Sequence, residues 1–253
     1  MNLVFASGYL IPQRLLGLEY FRGVPAAFPG ALFPVVPPLG TVSDRAHSLA
    51  DQIVAAFPAG TIHIIGHSMG GLDARALLSA NMEGLAAGGR VASLSTISTP
   101  HWGSPIADLL VGQQPDLLDP RRFVYDTLLQ AFHDLNVPAG ALGNLTTDFA
   151  RQFNANTPDV NHISYFSYAG AGMNSFLLKP GNLFITSVGK TPNERANDGL
   201  VSVASATWGK WVESPWPADH LAEVGYDLNA PNLAAPFDHL SAIRRVVDHA
   251  SKV

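Results

Sequence analysis

The stretch Ile62 to Arg75, IHIIGHSMGGLDAR, limits what this chain can fold into more than any other. Ile62, Ile64 and Ile65 are β-branched residues in a short apolar run, the make-up of a buried strand. Gly66-His67-Ser68-Met69-Gly70 then turns sharply, and Leu72, Ala76 and Leu77 mark one face of a helix. Strand, tight turn and helix are the context that gives a G-x-S-x-G motif its meaning. Such a turn holds its central residue in a strained conformation, with the side chain projecting above the sheet. Gly66 and Gly70 suit it because strand and helix approach too closely there for larger side chains. The helix start beneath Ser68 favours developing negative charge. Ser68 is therefore the expected nucleophile.

A serine hydroxyl is a poor nucleophile until a base accepts its proton, and the base must be held by an acid. With an elbow of this kind the chain order is Ser, then Asp or Glu, then His. Asp198 lies in Asn197-Asp198-Gly199-Leu200-Val201, after a polar loop and before an apolar stretch, where a carboxylate can reach an imidazole. Taken alone, the same segment reads as an ordinary Asp-Gly turn. Two histidines compete for the base, in Asp219-His220-Leu221 and Asp238-His239-Leu240. His220 follows the last expected strand through Pro215-Trp216-Pro217, which is a loop position. Asp238 reads as the N-cap of the final helix, so His239 falls in its first turn. His220 is preferred. His63 alternates within a strand, and His67 fills space beside the nucleophile. His47, His133 and His249 read as solvent-facing helix residues.

Strands and helices alternate along the rest of the chain. Strands are expected at Leu3 to Ala6, Leu32 to Val36, Ile62 to Ile65, Val91 to Ser98, His162 to Tyr168 and near Lys210 to Glu213. Ser43 is expected to cap a helix running to about Phe57, with Ala46, Leu49, Ile53 and Val54 inward. A last helix spans about Asp238 to Ser251. This alternation implies a mostly parallel sheet covered on both faces, an α/β architecture. About fifty residues between Ile106 and Asn161 break the pattern. They hold patchy apolar clusters (Leu109 to Val111, Leu117-Leu118, Phe123 to Tyr125, Leu128-Leu129, Phe132) interrupted by Pro115, Pro120 and Pro138. A structureless loop of that length is improbable in a compact domain. The reading is a single domain over 1–253 with a helical cap, or lid, inserted at about 107–161 after the fourth strand.

Apolar residues make up 47% of the chain and charged ones 14%, which excludes a disordered protein. The 15 Lys and Arg are scattered and the net charge is −5, so no nucleic-acid footprint is present. With no cysteine there is neither a disulfide nor a thiolate metal site. Apolar runs stop well short of a membrane span. The first residues, MNLVFASGYL, have no basic start or apolar leader core, and location is left open.

Four segments then match a known family. GHSMGGLDAR at 66–75, STPHWGSPIADL at 98–109, NDGLVSVAS at 197–205 and ADHLAEV at 218–224 resemble the bacterial triacylglycerol lipases of the Pseudomonas–Burkholderia–Proteus type, closest to small cysteine-free Proteus-like members. Weaker matches are EYFRGV at 19–24, DRAHSLADQI at 44–53 and LTTDFARQFN at 145–154. They run in the family's order over nearly the whole chain. The resemblance implies the α/β-hydrolase fold, with Ser68, Asp198 and His220 as triad, and it places His239 on the family's terminal helix. It implies an oxyanion hole made by the backbone N–H groups of Met69 and Tyr9. The family carries His-Gly before the second donor, whereas this chain has Ser7-Gly8. Arg45 matches the arginine that braces this loop. The family's structural calcium uses two aspartates whose places are taken here by Ala222 and Ile185, so no calcium and no other cofactor is expected. The implied activity is that of a monomeric serine esterase or lipase acting on small or lipid esters, with transient contact to a lipid interface through the cap. Thioesterase, acyltransferase and polyester depolymerase chemistries use the same triad, and a non-catalytic binder on this fold is the rival outside enzymology.

Overall fold

In the computed structural model, residues 1–9, 14–15, 18–112, 114–116, 118–119, 121–134, 139–173, 175–227 and 236–253 are described. Leu117, Pro120 and Pro138, and the side chains of Phe132 and His133, lie outside them.

Five strands form one parallel sheet in chain order: β1 (Asn2–Ala6), β2 (Ile62–His67), β3 (Val91–Ile97), β4 (Ser164–Tyr168) and β5 (Lys210–Trp211). The register aligns Ala6 with Gly66, Gly66 with Thr96, and Thr96 with Ser167. The residues just beyond these positions (Ser7, Ser68, Ser98 and Ala169) therefore gather at one edge of the sheet. Side chains alternate between the two faces. Leu3, Phe5, Ile65 and Ile97 pack with Ala242, Ile243, Val246 and Val247 of the terminal helix α7 (His239–Ala250). Val4, Ala6, Ile62, Ile64 and Leu94 pack with Ala46, Leu49 and Ile53 of α1 (Val42–Ala56) and Leu77 of α2 (Met69–Ser79). Both faces are covered, which is why β2 is buried throughout.

Four expectations are corrected. Leu32 to Val36 is not a strand: Leu32 makes one parallel bridge to Val4, and Pro34 then removes the next donor. The long insertion therefore follows the third strand of the sheet, not the fourth. Helix α1 is capped by Thr41, not Ser43; the Thr41 hydroxyl accepts from Asp44 N–H while the Asp44 carboxylate accepts from Thr41 N–H. The last strand is shorter than expected and ends at Trp211. Asp238 does cap α7, accepting from the Ser241 N–H.

The insertion is helical: α3 (Pro105–Val111), α4 (Arg121–Asp134), a 3₁₀ segment (Ala139–Leu145) and α5 (Thr147–Asn156). Ser104 and Thr146 cap α3 and α5, and Asp108 of α3 accepts from both the backbone and the hydroxyl of Thr147. Leu109, Leu110, Tyr125, Leu128 and Leu142 form a third apolar cluster with Met69 and Leu72, which seats the insertion on the elbow helix. Phe184 and Ile185 of α6 (Lys179–Val188) close it.

Candidate active site

The turn after β2 has the expected geometry. Ser68 sits at φ 55, ψ −132, outside the regions that an L-residue with a side chain favours. The surroundings hold it there. Its N–H donates to Ile97 O at 2.9 Å, and its carbonyl accepts from Thr99 Oγ1 at 2.8 Å and from Gly71 N–H at 3.1 Å. A Cβ on Gly66 would lie 2.7 Å from Gly71 Cα, and one on Gly70 would run into the Ala6 carbonyl. Strained backbone of this kind persists only where such contacts over-determine it.

Asp198 and His220 meet although 22 residues separate them. His220 Nδ1 lies 2.7 Å from Asp198 Oδ2, and the His220 N–H donates to the Asp198 carbonyl at 3.0 Å. Asp198 Oδ1 accepts the backbone N–H groups of Leu200 and Val201, so both carboxylate oxygens are occupied and the carboxylate is fully buried. The Asp-Gly turn supplies these donors, with Gly199 at φ 95. With Nδ1 facing a carboxylate, Nε2 is the ring nitrogen turned away from Asp198. His239 is held elsewhere, with its Nε2 at 2.7 Å from the Arg22 carbonyl.

Ser68 and His220 line one cavity of about 140 Å³ together with Tyr9. The rest of its wall is chiefly apolar (Ile106, Leu128, Leu142, Leu145, Leu178 and Val224), with Tyr20, His67 and Ser104 also lining it. Met69 is buried at the first position of α2. The loop holding Tyr9 is clamped by Arg45, whose Nη2 donates to the carbonyls of Ser7 at 2.7 Å and Gly8 at 3.0 Å. Arg45 Nη1 donates to Pro37 O, and Nε pairs with Asp73 Oδ2 at 2.8 Å. Burial pushes the Asp73 carboxyl up to about 7 against the pull of Arg45.

Several polar groups were not assigned from sequence. His67 is more than a space-filling neighbour: Nδ1 lies 2.7 Å from the Tyr20 hydroxyl and Nε2 lies 3.0 Å from Glu223 Oε2. Glu223 is fully buried and also accepts from Ser98 Oγ at 2.6 Å. Burial and the nearby Asp198 charge push its carboxyl well above the usual range. His67, His220 and Glu223 could bring three ligand atoms within 4.8 Å of one another, but both ring nitrogens of His67 already have partners. Tyr20 and Glu223 lie inside EYFRGV and ADHLAEV, stretches that sequence reasoning singled out without giving these residues a role. Ala222 and Ile185 are buried and offer no side-chain oxygen to a cation. His47 is exposed as expected, whereas His249 is half-buried edge-on against Phe166.

A parallel sheet with helices on both faces and a strained serine between strand and helix define an α/β-hydrolase. A family model described as a PGAP1-like alpha/beta domain matches residues 45–119. Triacylglycerol lipase 2 of Saccharomyces cerevisiae is 33% identical over 254 residues, an alignment covering 93% of this chain and 71% of the yeast protein. A triacylglycerol lipase of Vibrio cholerae is 28% identical over 252 residues, covering 88% of this chain and 78% of that protein. The crystal structure of Bacillus licheniformis lipase BlEst2 in mature form aligns with a TM-score of 0.71 at 20% identity, covering 98% of this chain and 91% of that one. The chain belongs to the triacylglycerol lipase family of α/β-hydrolases. It is a carboxylic ester hydrolase.

Proposed function

We propose that hydrolysis runs through an acyl-enzyme on Ser68. The observation that carries this reading is the buried Asp198–His220 pair facing the same apolar cavity as a serine held at positive φ. Ser68 Oγ attacks the ester carbonyl carbon while His220 Nε2 takes its proton. Charge develops on the carbonyl oxygen, where the backbone N–H groups of Met69 and Tyr9 receive it. Collapse breaks the ester bond, and His220 returns the proton to the leaving alcohol. Water, deprotonated by His220, then releases the acid and restores Ser68. Asp198 holds the imidazole in the tautomer that leaves Nε2 free and stabilises the imidazolium. Each oxyanion donor of this kind contributes about 2.7–4 kcal/mol to the transition state.

The helices over 105–156 act as the cap, and their apolar inner side serves as the acyl wall. Lipid contact occurs at the outer side, where Leu118 is 97% exposed and Phe123 72% exposed, with Phe176 beside α6 at 77%. Among the described residues no helix is long and apolar enough to cross a membrane, so this contact is peripheral. The enzyme works as a monomer without calcium, because Ala222 and Ile185 give that cation no carboxylate. Initial rates on p-nitrophenyl esters of two to sixteen carbons, with wild type and Ser68→Ala in parallel, test the reading. Loss of all measurable turnover in Ser68→Ala supports it, and near-normal turnover in the variant overturns it.

A further inference from the structure

A second chain of buried hydrogen bonds runs beside the triad and ends at Tyr20, against the loop that holds Tyr9. The Tyr20 hydroxyl packs against Gly8 so closely that a Cβ there would collide with it. The Tyr20 hydroxyl lies 2.7 Å from His67 Nδ1. His67 Nε2 lies 3.0 Å from Glu223 Oε2. Glu223 Oε1 accepts from Ser98 Oγ at 2.6 Å, and Ser98 Oγ accepts the Gly170 N–H at 3.1 Å. Tyr20, His67 and Glu223 are all nearly or fully buried, so these bonds have no water competing for them.

The chain reaches three of the loops that the proposed reaction uses. Gly8 precedes the proposed donor Tyr9, His67 precedes Ser68, and Glu223 follows His220 by three residues. Ser98 directly follows β3 at φ 44, a second strained position in a residue with a side chain. His67 also lies against the proposed base, its ring centroid 4.5 Å from that of His220. Burial, then the neighbouring His220, keeps the His67 imidazole neutral by lowering its pKa well below the usual value. A neutral ring there does not oppose the positive charge that His220 takes up during reaction.

We propose that Tyr20, His67 and Glu223 are positioning residues that lock the Gly8–Tyr9 peptide against the nucleophile elbow, so that the Tyr9 N–H meets the oxyanion without reorganisation. The inference rests on the acyl-enzyme reading above. It also accounts for Ser7 standing where the resembling family has histidine: here the loop is held by Arg45 through its carbonyls and by Tyr20 packed against Gly8.

Tyr20 lines the cavity, so a direct contact with the alcohol half of the ester must be separated from positioning. Deacylation separates them, because the acyl-enzyme has already lost its alcohol. The experiment is a stopped-flow burst assay with p-nitrophenyl butyrate on wild type, Tyr20→Phe and Glu223→Gln, with an aryl trifluoromethyl ketone as oxyanion-forming inhibitor. Tyr20→Phe deletes one oxygen from a buried ring and leaves packing intact. Acylation and deacylation should slow by the same factor, between about tenfold and about a hundredfold, as expected for a catalytic group displaced by a fraction of an ångström. The inhibition constant of the ketone should rise by a similar factor, with KM little changed. Glu223→Gln keeps a hydrogen-bonding partner for His67 Nε2 and should retain most of the rate. Slowed acylation with normal deacylation, or unchanged ketone affinity, overturns the proposal. A burst that survives in Ser68→Ala would instead refute the acyl-enzyme reading beneath it.

Discussion

Gly8→Ala is the smallest change that should disable the site while leaving its reacting groups in place. The φ of Gly8 is not in the left-handed region, so alanine has no backbone reason to fail there. Space is the obstacle. A Cβ would collide with the Tyr20 hydroxyl and would lie 2.7 Å from Ser68 Cβ and 3.2 Å from the His67 carbonyl. Ordinary van der Waals contact begins at 3.4 Å, so loop and elbow must separate by about 0.7 Å along the Ser68 direction alone. The elbow resists, because Ser68 is pinned by Ile97, Thr99 and Gly71. The loop must therefore move, taking the Tyr9 N–H away from the oxyanion. Misplacement approaching 1 Å can cost on the order of a hundredfold in rate. Overpacking of this size costs about 1–3 kcal/mol of stability. The assay is kcat and KM on p-nitrophenyl butyrate, with urea unfolding to verify the fold. A kcat within twofold of wild type in a folded variant would refute the claim that loop and elbow are held in register by this contact.

Other substitutions test separate parts of the account. Arg45→Met leaves the Asp73 carboxylate buried without its cation and should cost about 3–5 kcal/mol at pH 8; adding Asp73→Leu should recover much of that in urea melts but little of kcat, because the Ser7 and Gly8 carbonyls stay unheld. Asp198→Asn should lower kcat by about four orders of magnitude with little change in stability, since an amide favours the wrong imidazole tautomer; single-turnover rates would detect it. His101 lies outside the mechanism, and burial followed by the nearby Arg75 charge holds its pKa well below 6.5. The folded protein keeps His101 neutral while the unfolded chain takes a proton below about pH 6.5, so wild type loses that stability as pH falls and His101→Gln does not. The stability gap between them should narrow by about 1.4 kcal/mol per pH unit between pH 6 and pH 4.5, read by urea unfolding. Dialysis against EDTA should leave rate and melting temperature unchanged, because Ala222 and Ile185 supply no carboxylate.

What could be read from the sequence is what short-range patterns encode. β2 and the elbow lie in one run of fourteen residues, and the Asp198 turn and the cap of α7 are equally local. Leu32 to Val36 has the composition of a strand, but Pro34 allows it only one bridge. Thr41 and Ser43 are both plausible caps by type, and the reciprocal bond to Asp44 selects Thr41. The insertion was visible as a lapse in strand pattern, while its helix boundaries depend on packing against Met69 and Leu72. Tyr20, His67 and Glu223 could not be connected in advance. Tyr20 and His67 are 47 residues apart and His67 and Glu223 are 156 apart, so only the aligned strand ends bring them together. Arg75 is similar: it carries no nearby sequence partner, yet it lies 3.5 Å from the Trp208 ring centroid and donates to Asn154.

The central claim is covalent chemistry at Ser68, and intact-mass spectrometry after exposure to a p-nitrophenyl alkylphosphonate tests it most directly. The account predicts one phosphonyl adduct per chain, mapped by peptide sequencing to Ser68, appearing in step with loss of esterase activity and absent from Ser68→Ala. An active protein that acquires no adduct, or an adduct that inactivates from any other residue, would contradict it.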